Sequence, residues 1–198
     1  MPISLTKRLI FLHIPKNAGT AITDAEGMEF QLIGHHFPMF YMNNYNNQWR
    51  NFFKFAVVRN PFDRAVSNYE YGKMGESYWH SQTGKTQYGE HPDLKNLTNL
   101  SFKETIQLLD KDKTIFKHQG WGLQSDYVFV NNEMVLDKWF KLEEISDDLD
   151  FKLLVPNLKM KNKSTKEHSS YRDYYDDETI ELVRKIYSQD IINFGYEF

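Results

Sequence analysis

The sequence predicts an α/β protein of three layers, with a central, mostly parallel sheet flanked by helices. Two segments carry that expectation. Each is a short apolar run that turns directly into a helix: Leu9-Ile10-Phe11-Leu12 before Ala21-Ile22, and Phe55-Ala56-Val57-Val58 before Phe62, Val66 and Tyr69. Strands that alternate with helical patterns in this way are the mark of parallel βα units. A chain of 198 residues is large enough for one such core. No repeat or linker divides it, so a single domain over 1–198 is expected.

The elements follow in order. Residues 8–14 read as the first strand, and a helix runs from Thr20 to about Gly27. A short strand is expected through Gln31-Leu32-Ile33, and a polar, Asn-rich connection from Tyr41 to Arg50. The strand at 53–58 leads to a helix with Asn60 as N-cap, Pro61 at its first position and Asp63 in its first turn. That helix reaches about Tyr71, where Gly72 stops it. Ser101 and Glu104 form a capping box for a helix to about Leu109. Tyr127–Val130 and Lys138–Leu142 read as strands, and a helix starts at Glu143 or Ser146. The last helix begins near Asp177 and ends before Gly195, with Ile180, Val183 and Tyr187 on one face and Glu181 and Lys185 as an ion pair.

The chemistry starts in Phe11–Thr20, FLHIPKNAGT. A strand, a small-residue turn and a helix start aim several backbone N–H groups at one spot, where the helix dipole favours an anion. Lys16 adds a full charge. The competing reading is a plain strand–turn–helix with an incidental lysine. The order of residues departs from the triphosphate loop G-x-x-x-x-G-K-[ST]: Lys16 precedes Gly19, and no Lys-Ser/Thr pair supplies a magnesium ligand. A kinase-like enzyme is therefore the weaker alternative. A second motif, RNPFDRAVSNY from Arg59 to Tyr69, follows the second strand. Ligands of open α/β sheets bind beyond the carboxyl ends of strands. A guanidinium at Arg59 and a hydroxyl at Ser67 suit another phosphate there. Otherwise Arg59 and Asp63 simply form a local ion pair.

Together the two motifs resemble the sulfotransferases. HIPKNAGT is similar to their 5′-phosphosulfate loop, and RNPFDRAVSNY to their 3′-phosphate motif. The wording is nearest to the carbohydrate enzymes of the heparan sulfate 2-O type and their small bacterial and viral relatives. The resemblance covers roughly 8–71 and 119–198, including KWFKLEE at 138–144, Lys161-Asn162-Lys163-Ser164 and IINFGY at 191–196. It implies a P-loop-like fold and the donor 3′-phosphoadenosine 5′-phosphosulfate, released as 3′-phosphoadenosine 5′-phosphate. By the same token Lys16 and the N–H groups of Asn17, Ala18, Gly19, Thr20 and Ala21 would stabilise the leaving phosphate. Arg59 and Ser67 would read the 3′-phosphate, with Lys163 and Ser164 closing over it. A histidine after glycine serves these enzymes as general base. His35, after Gly34, fits that pattern, with His36 the alternative. The competing reading makes one of them a satisfied core residue and the other an exposed one, and His13 is expected to point into the sheet or support the loop.

Residues 72–100 are rich in Gly, Asn, Tyr and Trp and read as an acceptor-side insertion. Tyr78, Trp79 and Tyr88 are candidates to stack on sugar rings, with Trp121 and Gln124 further candidates. A flexible surface excursion is the competing reading. With no Cys and no His–carboxylate spacing, no metal is expected. A net charge of −3 and a pI near 6.2 argue against nucleic acid as a partner. The given residues show no leader pattern and no membrane-length apolar run, so a soluble, cytoplasmic enzyme of bacterial or viral type is expected, the alternative being an enzyme whose membrane anchor has been removed. A third possibility is a non-catalytic domain that keeps the nucleotide fold to bind a glycan or a protein.

Overall fold

A computed structural model of the chain describes residues 2–31, 34–80, 86–159 and 170–198, with the backbone alone at 78–80, 86 and 87. The first elements are β1 (Ile3–Ser4), β2 (Leu9–Phe11), α1 (Gly19–Thr23), α2 (Pro38–Asn44), α3 (Asn46–Asn51) and β3 (Phe53–Val58). Then come α4 (Pro61–Gly72), β4 (Ser77–His80), β5 (Thr86–Gly89), α5 (Leu94–Leu97) and α6 (Phe102–Lys111). The chain closes with β6 (Phe129–Val130), β7 (Glu133–Met134), β8 (Lys138–Lys141), α7 (Leu149–Leu154), α8 (Asp177–Ile186) and α9 (Ser188–Phe194). It gathers into two compact units. One is Met1–Arg59 with His80–Thr86 and Gln124–Thr165; the other is Asn60–Trp79 with Gln87–Leu123 and Lys166–Phe198.

The first unit holds the expected α/β sheet, in the order β1-β2-β3-β8. Leu9 lies opposite Phe53 and Phe55 opposite Lys138, both in parallel register. The apolar runs are continuous because these strands are buried on both faces: Ile10 and Phe55–Val58 are fully inaccessible. Side chains alternate across a strand, so Leu9, Phe11, Phe55 and Val57 share one face. They pack there with Ile22, Met28, Phe140, Phe151 and Val155.

Several expectations change in detail. β1 adds an antiparallel edge, with Ile3 opposite Ile10. At Gln31 there is a single bridge to Ile3 rather than a strand, and Leu32 and Ile33 lie outside the described residues. Val130 does not extend the main sheet. β6 and β7 form their own hairpin, turned by Asn131 and Asn132 at φ of 51° and 65°. Two left-handed residues are what a two-residue hairpin turn of primed type requires, and asparagine tolerates them. The Asn-rich stretch is helical, as α2 and α3, where a polar connection is expected. Pro38 starts α2, but neither helix has a side-chain cap, so the usual start signal is missing.

In the second unit, α4 begins as expected. The Asn60 carboxamide oxygen accepts from the Phe62 N–H at 3.0 Å. Phe62, Ala65, Val66 and Tyr69 enter a core shared with Leu97, Phe102, Ile106, Trp121, Val183 and Tyr187. α6 has the reciprocal Ser101–Glu104 box. The C-terminal helix is two helices, because Tyr187 leaves helical geometry at φ −107°, ψ 24°. Lys185 pairs with Asp110 at 2.7 Å, and Glu181 with Arg184 instead.

Candidate active site

The Phe11–Thr20 loop starts from β2 and is held by backbone geometry that costs energy. Lys16 and Ala18 sit at φ of 69° and 58°, left-handed values that cost a residue with a Cβ roughly 1–2 kcal/mol each. Such strain collects at functional sites because the surroundings must over-determine it. α1, at five residues, has too short a dipole to act as the main attraction. The candidate donors to an anion are therefore the backbone N–H groups of the loop, Lys16 and Arg59.

Three bonds over-determine the loop. The buried Asn17 amide donates to the Val57 carbonyl at 2.8 Å and to Gln124 Oε1 at 2.7 Å. Arg59, at the end of β3, donates through Nη1 to the Lys16 carbonyl at 3.1 Å. Gln124, fully buried, grips the Arg59 main chain from both sides. Its Oε1 accepts from the Arg59 N–H at 2.9 Å, and its Nε2 donates to the Arg59 carbonyl at 2.8 Å. These partners leave only one orientation for the Gln124 carboxamide. One side chain thus ties the Lys16 loop to the strand that delivers Arg59. Gln124 was read from sequence as an acceptor contact; in the structure its amide is engaged on the interior. No spacing pattern marks a lone glutamine for this role.

The electrostatics follow from the packing. Lys16 is half-buried beside Arg59, and its ammonium is pushed down to about 7, first by desolvation and second by the guanidinium. Both causes penalise positive charge, so both would be relieved by an anion in the loop. Thr20 is exposed at the start of α1, and Ala18 is half-buried.

His13 links this loop to the candidate base. Its ring lies against Gly19 so closely that a Cβ there would come within 1.7 Å of Nε2. No other residue type fits. The His13 carbonyl is 2.8 Å from His35 Nδ1, and the two rings are 4.1 Å apart. A carbonyl only accepts, so Nδ1 carries the proton and the neutral ring has its lone pair on Nε2. Gly34, at φ 156°, supplies the backbone turn before His35. His36 does something else: it stacks on Phe40, 4.2 Å between centroids. Tyr41 anchors the same helix, with its buried hydroxyl donating to the Phe11 carbonyl at 3.3 Å.

The remaining expected residues belong to the second unit or lie outside the described residues. Ser67 is half-buried on α4, in the second unit. Its neighbour Arg64, which matches a basic position of the motif, is buried and donates to the Gly122 carbonyl at 2.9 Å. Trp121 is a core residue: it is 5% exposed, stacks on Phe116 and donates its indole N–H to Asp93 at 3.2 Å. Tyr88 is 60% exposed on β5, its hydroxyl 3.0 Å from Glu76. The side chains of Tyr78 and Trp79, and all of Lys163 and Ser164, lie outside the described residues. Among the described residues, no helix is long and apolar enough to cross a membrane.

Comparison with known proteins gives one match. The family model described as "Sulfotransferase family" covers residues 27–197. The match includes the Arg59–Tyr69 motif and begins after the Lys16 loop. No curated protein and no solved structure matches the chain.

Proposed function

Because the chain belongs to the sulfotransferase family, we propose that it transfers a sulfuryl group from 3′-phosphoadenosine 5′-phosphosulfate to a hydroxyl of a carbohydrate-like acceptor. The observation that carries this reading is the strained Lys16 loop, clamped to Arg59 by Gln124 and joined through His13 to a histidine of defined tautomer. The loop fits the donor's anionic end, since burial and Arg59 both hold Lys16 short of full charge until a negative group arrives. The bound donor supplies the sulfuryl group and a phosphate as leaving group.

The chain's own residues do the rest. Lys16 and the backbone N–H groups of Asn17, Ala18, Gly19, Thr20 and Ala21 stabilise charge where it develops, on the departing phosphate oxygen. His35 takes the acceptor's proton at Nε2 as the acceptor oxygen bonds to sulfur, and the His13 carbonyl holds the resulting imidazolium by its Nδ1–H. On the motif, Arg59 and Ser67 are assigned to the 3′-phosphate; Lys163 and Ser164, the other expected nucleotide contacts, lie outside the described residues. His36, committed to Phe40, is the weaker candidate for the base.

Replacing His35 by Ala is expected to lower kcat by about a thousandfold. It should leave binding of 3′-phosphoadenosine 5′-phosphate unchanged. His36→Ala should change kcat by less than about tenfold. Full turnover by the His35→Ala protein would remove His35 from the mechanism.

A further inference from the structure

The segment that follows His35 has an unusual surface. From Phe30 to Trp49 the sequence contains no Asp, Glu, Lys or Arg. Within it, Phe37 is 48% exposed, Met39 51% and Phe40 36%. Asn43, Asn44, Asn46 and Asn47 are exposed as well. Asn44 and Asn46 each donate one amide N–H to a backbone carbonyl four residues back, at 2.8 and 3.2 Å, which leaves their carboxamide oxygens as acceptors. The surface is also held in place. Tyr41 is buried and bonded to β2, its ring 5.5 Å from that of Trp49, and Phe37 packs on the buried Tyr127 at 4.7 Å. Exposed aromatics on a fixed element are not a loose excursion. They are apolar surface kept in water beside a proposed base.

We propose that the exposed face of α2 binds the acceptor, and that the acceptor there is an uncharged sugar. The inference rests on the sulfotransferase reading above. A sugar ring has an apolar face that stacks on aromatics and a rim of hydroxyls that pair with carboxamides. Phe40, backed by His36, offers the first, and the asparagines offer the second. A carboxylated or sulfated sugar needs cations that match its anions; α2 carries none, and the exposed Arg50 lies beyond it, in the last turn of α3. The acceptor hydroxyl reaches His35 from the side on which its sequence neighbours form this platform.

The test uses the full chain with radiolabelled sulfuryl donor and two sets of oligosaccharides, neutral and carboxylated or sulfated. Binding of 3′-phosphoadenosine 5′-phosphate is measured on the same protein. Neutral sugars should be the labelled products, with a rate that changes less than about twofold between low and physiological salt. Phe40→Ala should raise the acceptor KM about tenfold. Met39→Ala, at a more exposed position, should raise it by a smaller factor. Neither should change nucleotide affinity. Labelling of the anionic set alone overturns the inference and leaves the sulfotransferase reading intact. So does an unchanged KM in both variants, or nucleotide binding without use of any neutral sugar. Loss of nucleotide binding in the unmodified protein defeats the underlying reading, and this inference with it.

Discussion

Lys16 is placed where its own charge is disfavoured, and that makes it the most testable residue in the chain. Its folded pKa, about 7, lies below the ordinary lysine value of 10.5. Between those values the unfolded chain holds a proton that the folded one has lost, so stability rises with pH across that window; below about 7 the penalty is present in full. Lys16→Met should therefore melt higher than the unmodified protein at pH 7, with the gap closing as pH approaches 10. The same variant should lose nucleotide binding. In the unmodified protein at pH 8, binding of 3′-phosphoadenosine 5′-phosphate should draw a proton onto Lys16. Calorimetry in buffers of different ionisation enthalpy reads that uptake directly, and zero uptake would mean that Lys16 does not face the anion. Gln124 gives a second test. Gln124→Ala strands the Arg59 N–H and carbonyl and one bond of Asn17, at a cost of about 2–4 kcal/mol in urea unfolding. It should also weaken nucleotide binding at least tenfold, because the loop and Arg59 lose their common tie. Unchanged affinity in a folded Gln124→Ala protein would reduce the residue to a core contact.

At the scale of elements, local signals and tertiary ones separate clearly. Ser101 and Glu104 were legible as a helix start because the box is formed by neighbours in sequence, and both of its bonds are present. Ser101→Ala should cost about 1 kcal/mol, read as a lower urea midpoint with unchanged slope. Asn60 and Pro61 announced α4 for the same reason. α2 and α3 gave no such warning. Their asparagines are weak helix formers, and the helices stand because Tyr41 and Trp49 are held by packing. The break at Tyr187 was hidden too, since the apolar period runs through it. In the loop, the sequence displayed Lys16 and Gly19, but not why Gly19 is glycine. That reason is the His13 ring, brought there by the fold. Gly19→Ala must displace it, at about 1–3 kcal/mol, and with it the carbonyl that orients His35. Nucleotide binding and turnover should both fall; a variant with normal stability and turnover would show that His13 is not the link described here.

Each of the two units has its own core, and the two motifs divide between them. The Lys16 loop, His35 and the Arg59 main chain belong to the first, while Ser67 belongs to the second. The first motif could be recognised from the adjacent residues 13–20, HIPKNAGT. The clamp that makes it rigid could not, because Gln124 lies 107 positions from Asn17. On the proposed function, the molecule recognises a 3′-phosphorylated nucleotide and holds its 5′ anionic end at Lys16. Thermal unfolding with 3′-phosphoadenosine 5′-phosphate, beside AMP, ADP and ATP with magnesium, tests it most directly. A ligand that binds only the folded state raises Tm with the logarithm of its excess over Kd. A clear rise is expected with the bisphosphate, little or none with AMP, and no rise in the Lys16→Met protein. A rise with ATP and magnesium but not with the bisphosphate would contradict it.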